Sequence, residues 1–233
     1  MIDWHSHILP EMDDGSRSLD ESINLINMQV EQGVNTVIAT PHFYANDESV
    51  ESFLRRRSIS FEKLKKVSSE SFPEIILGAE VHYYPGISKM TDLKRLRIEN
   101  SKLLLLEMPP TKWTEYVIRE LIELSRISGI KIILAHIDRY LSLQKQEVWE
   151  RLFESGILMQ VNASFSLSLV SKHRVISMLK NGYIHFLGSD CHNLNSRPPK
   201  IGKAYDLVRK KCGDDFISRM NEFGFSMLTN KNN

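Results

Sequence analysis

Cysteine is scarce. Cys191 and Cys212 are the only two in 233 residues, which excludes a small secreted scaffold held by disulfides. Charge of one sign is missing too: 30 basic against 29 acidic residues leave a formal net charge of +1. That balance argues against broad attraction to nucleic acid or a membrane surface, while leaving room for a local basic pocket. The longest apolar run, around Leu103-Leu104-Leu105-Leu106, falls far short of the roughly 20 residues that cross a bilayer. No basic, apolar leader is seen, because Met1-Ile2-Asp3 runs straight into polar residues. There is no internal repeat, and no Gly-rich phosphate loop follows the first apolar run, which weighs against a dinucleotide-binding sheet. What is present is a globular composition, 42% hydrophobic and 25% charged, at a length ordinary for a single α/β domain spanning 1–233. Free thiols and methionines fit a cytoplasmic protein, and the polar tail Asn230-Lys231-Asn232-Asn233 is expected to fray.

Short apolar runs recur at 2–5, 36–40, 75–79, 103–106, 131–135, 158–162 and 185–188. Each is too short for a helix and rich enough in Ile, Val and Leu to be a strand buried on both faces. Helical patterns separate them. Ser18-Leu19-Asp20-Glu21 reads as a capping box, with Ile23, Ile26 and Val30 on one face and Gly33 as the stop. The scheme repeats over 116–128 before Gly129, 147–155 before Gly156 and 175–181 before Gly182. Strand, helix, glycine, strand is the order of βα units, whose crossovers force a parallel sheet. About seven such units predict a distorted, TIM-like barrel rather than an open doubly wound sheet.

Polar residues end these strands: His5-Ser6-His7, His42, Glu80, Glu107, His136, and Asp190 with His192. In a βα barrel those ends open on one face, where active sites of the fold are built. Taken singly, each has an ordinary structural explanation; their joint placement does not. Five of the eight histidines take part, and His82, His173 and His185 stay unassigned, with His173 expected on a solvated helix. Imidazole with carboxylate and no thiolate suits Mn, Fe or Zn in an open catalytic site. The loop Asp13-Asp14-Gly15 adds a further acidic ligand, with Gly15 allowing a tight turn. So many candidates exceed what one ion uses and predict two or three ions, a pattern suited to phosphoryl transfer. Arg139 and Arg197 sit on the same loops, and a planar guanidinium matches phosphate oxygens. The run Arg55-Arg56-Arg57 is expected to be a solvated helix face.

The stretches His5-x-His7, Asp13-Asp14-Gly15, Thr40-Pro41-His42, Gly78-Ala79-Glu80, 135–140 and 189–193, together with 193–199, resemble the PHP (polymerase and histidinol phosphatase) superfamily. More narrowly, they resemble the bacterial manganese-dependent protein-tyrosine phosphatases of capsule and exopolysaccharide operons. The resemblance implies an α/β fold, a distorted TIM-like (β/α)7 barrel in a single domain, holding three ions, usually Mn2+ with Fe or Zn as alternatives. It implies the ligands His5, His7, Asp14 (rather than Asp13), His42, Glu80, Glu107, His136, Asp190 and His192. Arg139 and Arg197 would bind the substrate phosphate and, with His42, form the catalytic set. The implied partner is the phosphotyrosine-bearing tail of a bacterial tyrosine kinase, with no stable nucleic acid and no membrane insertion.

The expected reaction is attack of a metal-bridged hydroxide on phosphorus, without a phosphoenzyme. Cys191 and Arg197 also show the Cys-x5-Arg spacing of cysteine-dependent tyrosine phosphatases. The intervening residues lack phosphate-cradling glycines, and Asp190 disfavours a thiolate, so the spacing is read as coincidence. Within the superfamily the alternatives are a histidinol-phosphate or other small-molecule phosphatase and a nuclease, the latter opposed by near-neutral charge.

Overall fold

The computed structural model describes residues 1–229; the expected frayed tail lies outside the described residues. In chain order the elements are β1 (Ile2–Ser6), α1 (Leu19–Glu31), β2 (Thr36–Ala39), β3 (His42–Phe43), α2 (Val50–Lys65), β4 (Glu74–Leu77), β5 (Glu80–His82) and β6 (Leu103–Glu107). There follow α3 (Glu115–Ser125), β7 (Lys131–Leu134), α4 (Gln146–Glu154), β8 (Leu158–Asn162), α5 (Ala163–Leu167), α6 (Lys172–Lys180), β9 (Phe186–Gly188), α7 (Ile201–Cys212) and α8 (Asp214–Thr229). Every expected strand is present, and two are divided. Thr40-Pro41 separates β2 from β3, and Gly78-Ala79 separates β4 from β5 at the same level. Chain-to-chain bonds continue across the break: Gly78 N–H donates to the Ala39 carbonyl at 2.8 Å and Glu80 N–H to the Pro41 carbonyl at 3.0 Å.

All ladders are parallel, in the orders β1-β2-β4 and β3-β5-β6-β7-β8-β9. The array curls until its ends meet, where Asp190 N–H donates to the His5 carbonyl at 2.8 Å and His7 N–H to the Cys191 carbonyl at 3.0 Å. This is an α/β fold on a curled parallel sheet. Among the described residues, no helix is long and apolar enough to cross a membrane.

Alternation along the strands gives the sheet two apolar faces. Ile2, Trp4, Ile38, Leu103, Leu105, Ile133, Leu158 and Phe186 form the inner cluster, together with Leu228 from α8. Val37, Ala39, Leu104, Leu106, Ile132, Leu134, Val161 and Leu187 face outward into the larger cluster shared with the helices. α8 approaches the inner cluster so closely that a Cβ at Gly224 would lie 2.8 Å from the Trp4 ring.

In β1 the register against β2 shifts between Asp3 and Ser6, so one extra residue is accommodated there. Such a bulge re-aims side chains. Ile2 and Trp4 pack inside, and the shift then lets His5 and His7, of opposite parity, also turn inward.

Local signals held with two changes at α1. Ser18 Oγ accepts the Glu21 N–H at 3.1 Å, but the Glu21 carboxylate reaches one residue past the cap, to Arg17 N–H at 2.9 Å. The buried face is Ser22, Leu25, Ile26 and Gln29; Ile23 and Val30 are only partly covered. Partnered polar groups bury readily: Ser22 bonds Ser16 at 2.8 Å, and the Gln29 amide donates to Cys191 Sγ at 3.4 Å. The arginine run is not a uniformly solvated face. Arg57 is buried, donating to the Gly78 carbonyl at 2.6 Å with Glu99 at 3.6 Å, whereas Arg55 and Arg56 are exposed.

Candidate metal centre

Among the described residues, the carboxyl ends of β1, β6, β7 and β9, the loop after β1 and the starts of β3 and β5 bring nine side chains together in four overlapping groups, each with its ligand atoms within 4.8 Å of one another. One is His7, Asp14, His42 and His192; another is His5, His7 and Asp190. The remaining two are His5, Glu80 and His136, and His42, Glu80 and Glu107. These are the nine residues picked from the sequence. Glu80 lies at the middle: its Oε2 is 3.1 Å from His5 Nε2, 3.2 Å from His7 Nε2 and 3.1 Å from His42 Nδ1, while Oε1 is 2.7 Å from His136 Nε2.

The residues fit a set of cations. Glu80 Oε2, His42 Nδ1 and His192 Nε2 are buried without a hydrogen-bond partner, an arrangement that costs free energy unless a cation lies between them. Burial, the largest influence on both, pulls the His42 imidazole down and takes His192 to about 4, so each keeps a free lone pair near neutral pH. At Glu80 burial pushes upward, but His5, His136 and His7 outweigh it and hold the carboxyl well below the usual range. At His136 burial pulls downward, and hydrogen bonds to Glu107 and Glu80 overcome it, giving about 9. In Glu107 burial is likewise overridden, by His136 and His82, leaving about 2.

Two of the four non-glycine residues with positive φ among the described residues lie here. His136 and Asp190, neither a glycine, sit at φ +28° and +51°. Such left-handed conformations cost about 1–3 kcal/mol each and persist where surrounding structure enforces them.

The structure separates the two adjacent aspartates. Asp13 Oδ2 accepts from His7 Nδ1 at 2.7 Å and from His42 N–H at 2.9 Å, behind the cluster. That bond fixes the imidazole with Nε2 pointing inward, the usual second-layer role of a carboxylate. Asp14 is exposed, with Oδ1 3.3 Å from His192 Nε2 and 3.5 Å from His42 Nε2. Gly15 is required for a different reason than a turn: a Cβ there would collide with the His7 backbone and side chain. Gly188 is a second close approach, where a Cβ would lie 2.6 Å from His5 Cβ.

Arg139 and Arg197 converge on one carboxylate, each placing Nη2 2.7 Å from Asp190 Oδ2. Arg139 Nη1 also reaches Glu107 Oε1 at 3.1 Å. Both guanidinium groups are partly exposed and line a pocket with Asn162, Ser164 and Lys200. Cys191 cannot compete as nucleophile, because it is fully buried and burial pushes its thiol up to about 12.

Several neighbours escaped sequence reasoning. Gln160 Oε1 accepts the His136 N–H at 2.6 Å and faces His5 Nδ1 at 3.3 Å. Asn162, at the end of β8, donates to Asp190 at 2.9 Å, and Tyr140 Oη lies 2.9 Å from His136 Nδ1. The unassigned His82 places Nδ1 3.1 Å from Glu107 Oε2, beside the ring of Tyr44. Asn162 obeys the strand-end rule but is an amide, which does not titrate. His173 is exposed on α6, as expected, and His185 accepts the Met159 N–H at the far end of β9.

Fold and site define a class: an α/β protein with a candidate multi-ion His/carboxylate cluster at the carboxyl ends of a curled parallel sheet. The family described as capsular polysaccharide synthesis, CpsB/CapC, matches residues 1–223, and the chain belongs to it. Tyrosine-protein phosphatase CpsB of Streptococcus pneumoniae is 32% identical over 230 residues, covering 91% of each chain. CpsB of Streptococcus agalactiae serotype III (strain NEM316) is 30% identical over 231 residues, covering 94% of each. A solved structure described as YwqE from Bacillus subtilis and CpsB from Streptococcus pneumoniae, unique metal-dependent tyrosine phosphatases, superposes with a TM-score of 0.84. It is 25% identical, over 100% of this chain and 96% of that one. A histidinol phosphate phosphatase of Lactococcus lactis shares the fold at a TM-score of 0.55 and 11% identity, over 91% of this chain and 93% of that one.

Proposed function

We propose that this chain is a metal-dependent protein-tyrosine phosphatase, a single cytoplasmic domain in which the curled sheet forms a distorted (β/α)7 barrel. Its substrate would be the phosphotyrosine-bearing tail of a bacterial tyrosine kinase that governs capsule or exopolysaccharide synthesis. The observation that carries the reading is the convergence of nine donors, three of their atoms orphaned, beside two arginines that share Asp190. The metal-dependent tyrosine phosphatases among its relatives support the choice of substrate.

His5, His7, Asp14, His42, Glu80, Glu107, His136, Asp190 and His192 would hold three ions, Mn2+ foremost, with Fe or Zn as alternatives. Bound ions supply an acidified water and neutralise charge on the phosphoryl oxygens. The chain's own groups do the rest. Arg139 and Arg197 grip the phosphate with planar donors, and their shared contact with Asp190 holds the two guanidinium groups together before substrate arrives. Asp13 and Gln160 fix the imidazoles of His7 and His5. His42, the least covered of the five cluster imidazoles at 12% side-chain exposure, completes the catalytic set at the mouth. A phenol leaves with a pKa near 10, so strong acid assistance is unnecessary.

A side-by-side panel of phosphotyrosine peptide, histidinol phosphate and single-stranded DNA, each with added Mn2+, tests the reading. The phosphopeptide should have the highest kcat/KM. Turnover confined to histidinol phosphate would reassign the chain to small-molecule chemistry, and cleavage of DNA alone to the nucleases.

A further inference from the structure

The mouth of the candidate site has two unlike sides. On one, Arg139 and Arg197 meet at Asp190. On the other stand two rings, those of Tyr44 and His82. Tyr44 stacks on His42 with centroids 5.4 Å apart and planes at 30°, and lies 5.3 Å from His82. It is 38% exposed, so part of this aromatic residue stays open beside a cluster of charges. The turn that follows holds it in place, with the N–H groups of Asp47 and Glu48 donating to the Tyr44 carbonyl at 3.0 and 3.3 Å. Glu107 holds the neighbouring ring, 3.1 Å from His82 Nδ1, and its other oxygen is the one that contacts Arg139 at 3.1 Å. A continuous chain of contacts thus runs from the aromatic pair through Glu107 to the arginines.

We propose that Tyr44 and His82 form an aryl subsite, which receives the ring of a phosphate ester whose phosphoryl group is held by Arg139 and Arg197. The inference rests on the phosphomonoesterase reading and adds what selects its substrate. A phosphoryl group held against the arginines leaves its ester substituent pointing out of the mouth. The partly exposed Tyr44 ring, stacked on His42 of the cluster, supplies an aromatic surface for it. Rings pair by offset or edge-on contacts, which an aliphatic ester such as phosphoserine cannot make. Discrimination for aromatic over aliphatic phosphate esters therefore arises at this wall, in addition to the ease with which a phenolate leaves.

The test compares Tyr44→Ala and Tyr44→Phe with the unaltered protein on one peptide carrying either phosphotyrosine or phosphoserine. Dissociation constants are measured alongside for the non-hydrolysable phosphonate analogue of each peptide. Tyr44→Ala should lower the aryl-over-alkyl ratio of kcat/KM about tenfold, mainly through KM, the order that one aromatic contact supplies. The same ratio should fall in the dissociation constants, and Tyr44→Phe should restore both. A Tyr44→Ala protein that melts normally yet keeps the ratio, or loses affinity for both analogues equally, overturns the subsite. If the unaltered protein hydrolyses neither peptide, the phosphatase reading fails, and the analogue affinities alone then decide whether an aryl subsite exists.

Discussion

The two ends of the curled sheet are made by the same strands and carry opposite chemistry. At the amino ends, Ile2, Trp4, Leu103, Leu158 and Phe186 interlock with Leu228 of α8, and the Trp4 and Phe186 rings stack at 3.9 Å. The opposite end of the sheet gathers five imidazoles and four carboxylates, with left-handed backbone at His136 and Asp190 and three orphaned polar atoms. Apolar contact supplies stability at one end; the other end gives stability up to hold buried polar atoms without hydrogen-bond partners in the protein. The bulge in β1 is where one regime hands over to the other, with Trp4 inside the apolar layer and His5 inside the polar one.

That contrast is broken most severely by paired substitutions, one at each end. His136→Ala should lower kcat/KM by about 10³-fold or more while leaving the fold intact, since it removes one member of a group that acts as a unit. Trp4→Ala should do the reverse, costing about 3–5 kcal/mol in denaturant unfolding while the protein that remains folded keeps its metal affinity. If Trp4→Ala abolished metal binding at full stability, the two ends would not be separable. A smaller effect is expected at the arginines. Arg197→Ala should reduce kcat/KM about 10²-fold, and Arg139→Lys by a similar factor, because an ammonium cannot reproduce planar paired donors. Unchanged kinetics in both would remove them from phosphate binding.

Among the titratable groups at the apolar end is His185, whose imidazole is taken down to about 4 by burial first and by Lys131 second. Its folded value lies below the ordinary 6.5, so its stabilising contribution is complete above pH 6.5 and is lost as pH falls towards 4. His185→Gln should remove acid destabilisation on the order of 2 kcal/mol from that window. An identical pH profile for the variant would contradict the assignment. Smallest of all is Cys191→Ser, expected to keep activity within about twofold because the buried thiol takes no part. Loss of activity with unchanged stability would revive the thiolate reading.

Much of the polar end was legible because its residues terminate apolar runs, and a strand's end is visible without knowing the strand's neighbours. His42, Glu80 and Glu107 are each read this way. What the chain could not disclose is geometry set between elements. The bulge at Asp3–Ser6 depends on pairing with β2, and the division of labour between Asp13 and Asp14 depends on where His7 and His42 fall. Gln160 and Tyr140 escaped because nothing in their own neighbourhoods distinguishes a hydrogen bond to a site residue from an ordinary buried one, whereas Asn162 ends its strand as the ligands do but does not titrate. Arg57 was misread for a related reason: its partner, the Gly78 carbonyl, exists only where β4 breaks. The barrel-like return of β9 to β1 rests on two backbone bonds between residues about 180 apart in sequence, beyond any local pattern.

If the polar end is a cation site, its filling should drive phosphate-ester hydrolysis. Protein stripped with a chelator, dialysed, and titrated with Mn2+ measures it most directly, with bound metal and phosphotyrosine-peptide turnover recorded on the same samples. Negligible turnover is expected without metal, with recovery on adding Mn2+ and activity that rises with the ions bound to more than one per chain. Full turnover in the stripped protein would contradict it.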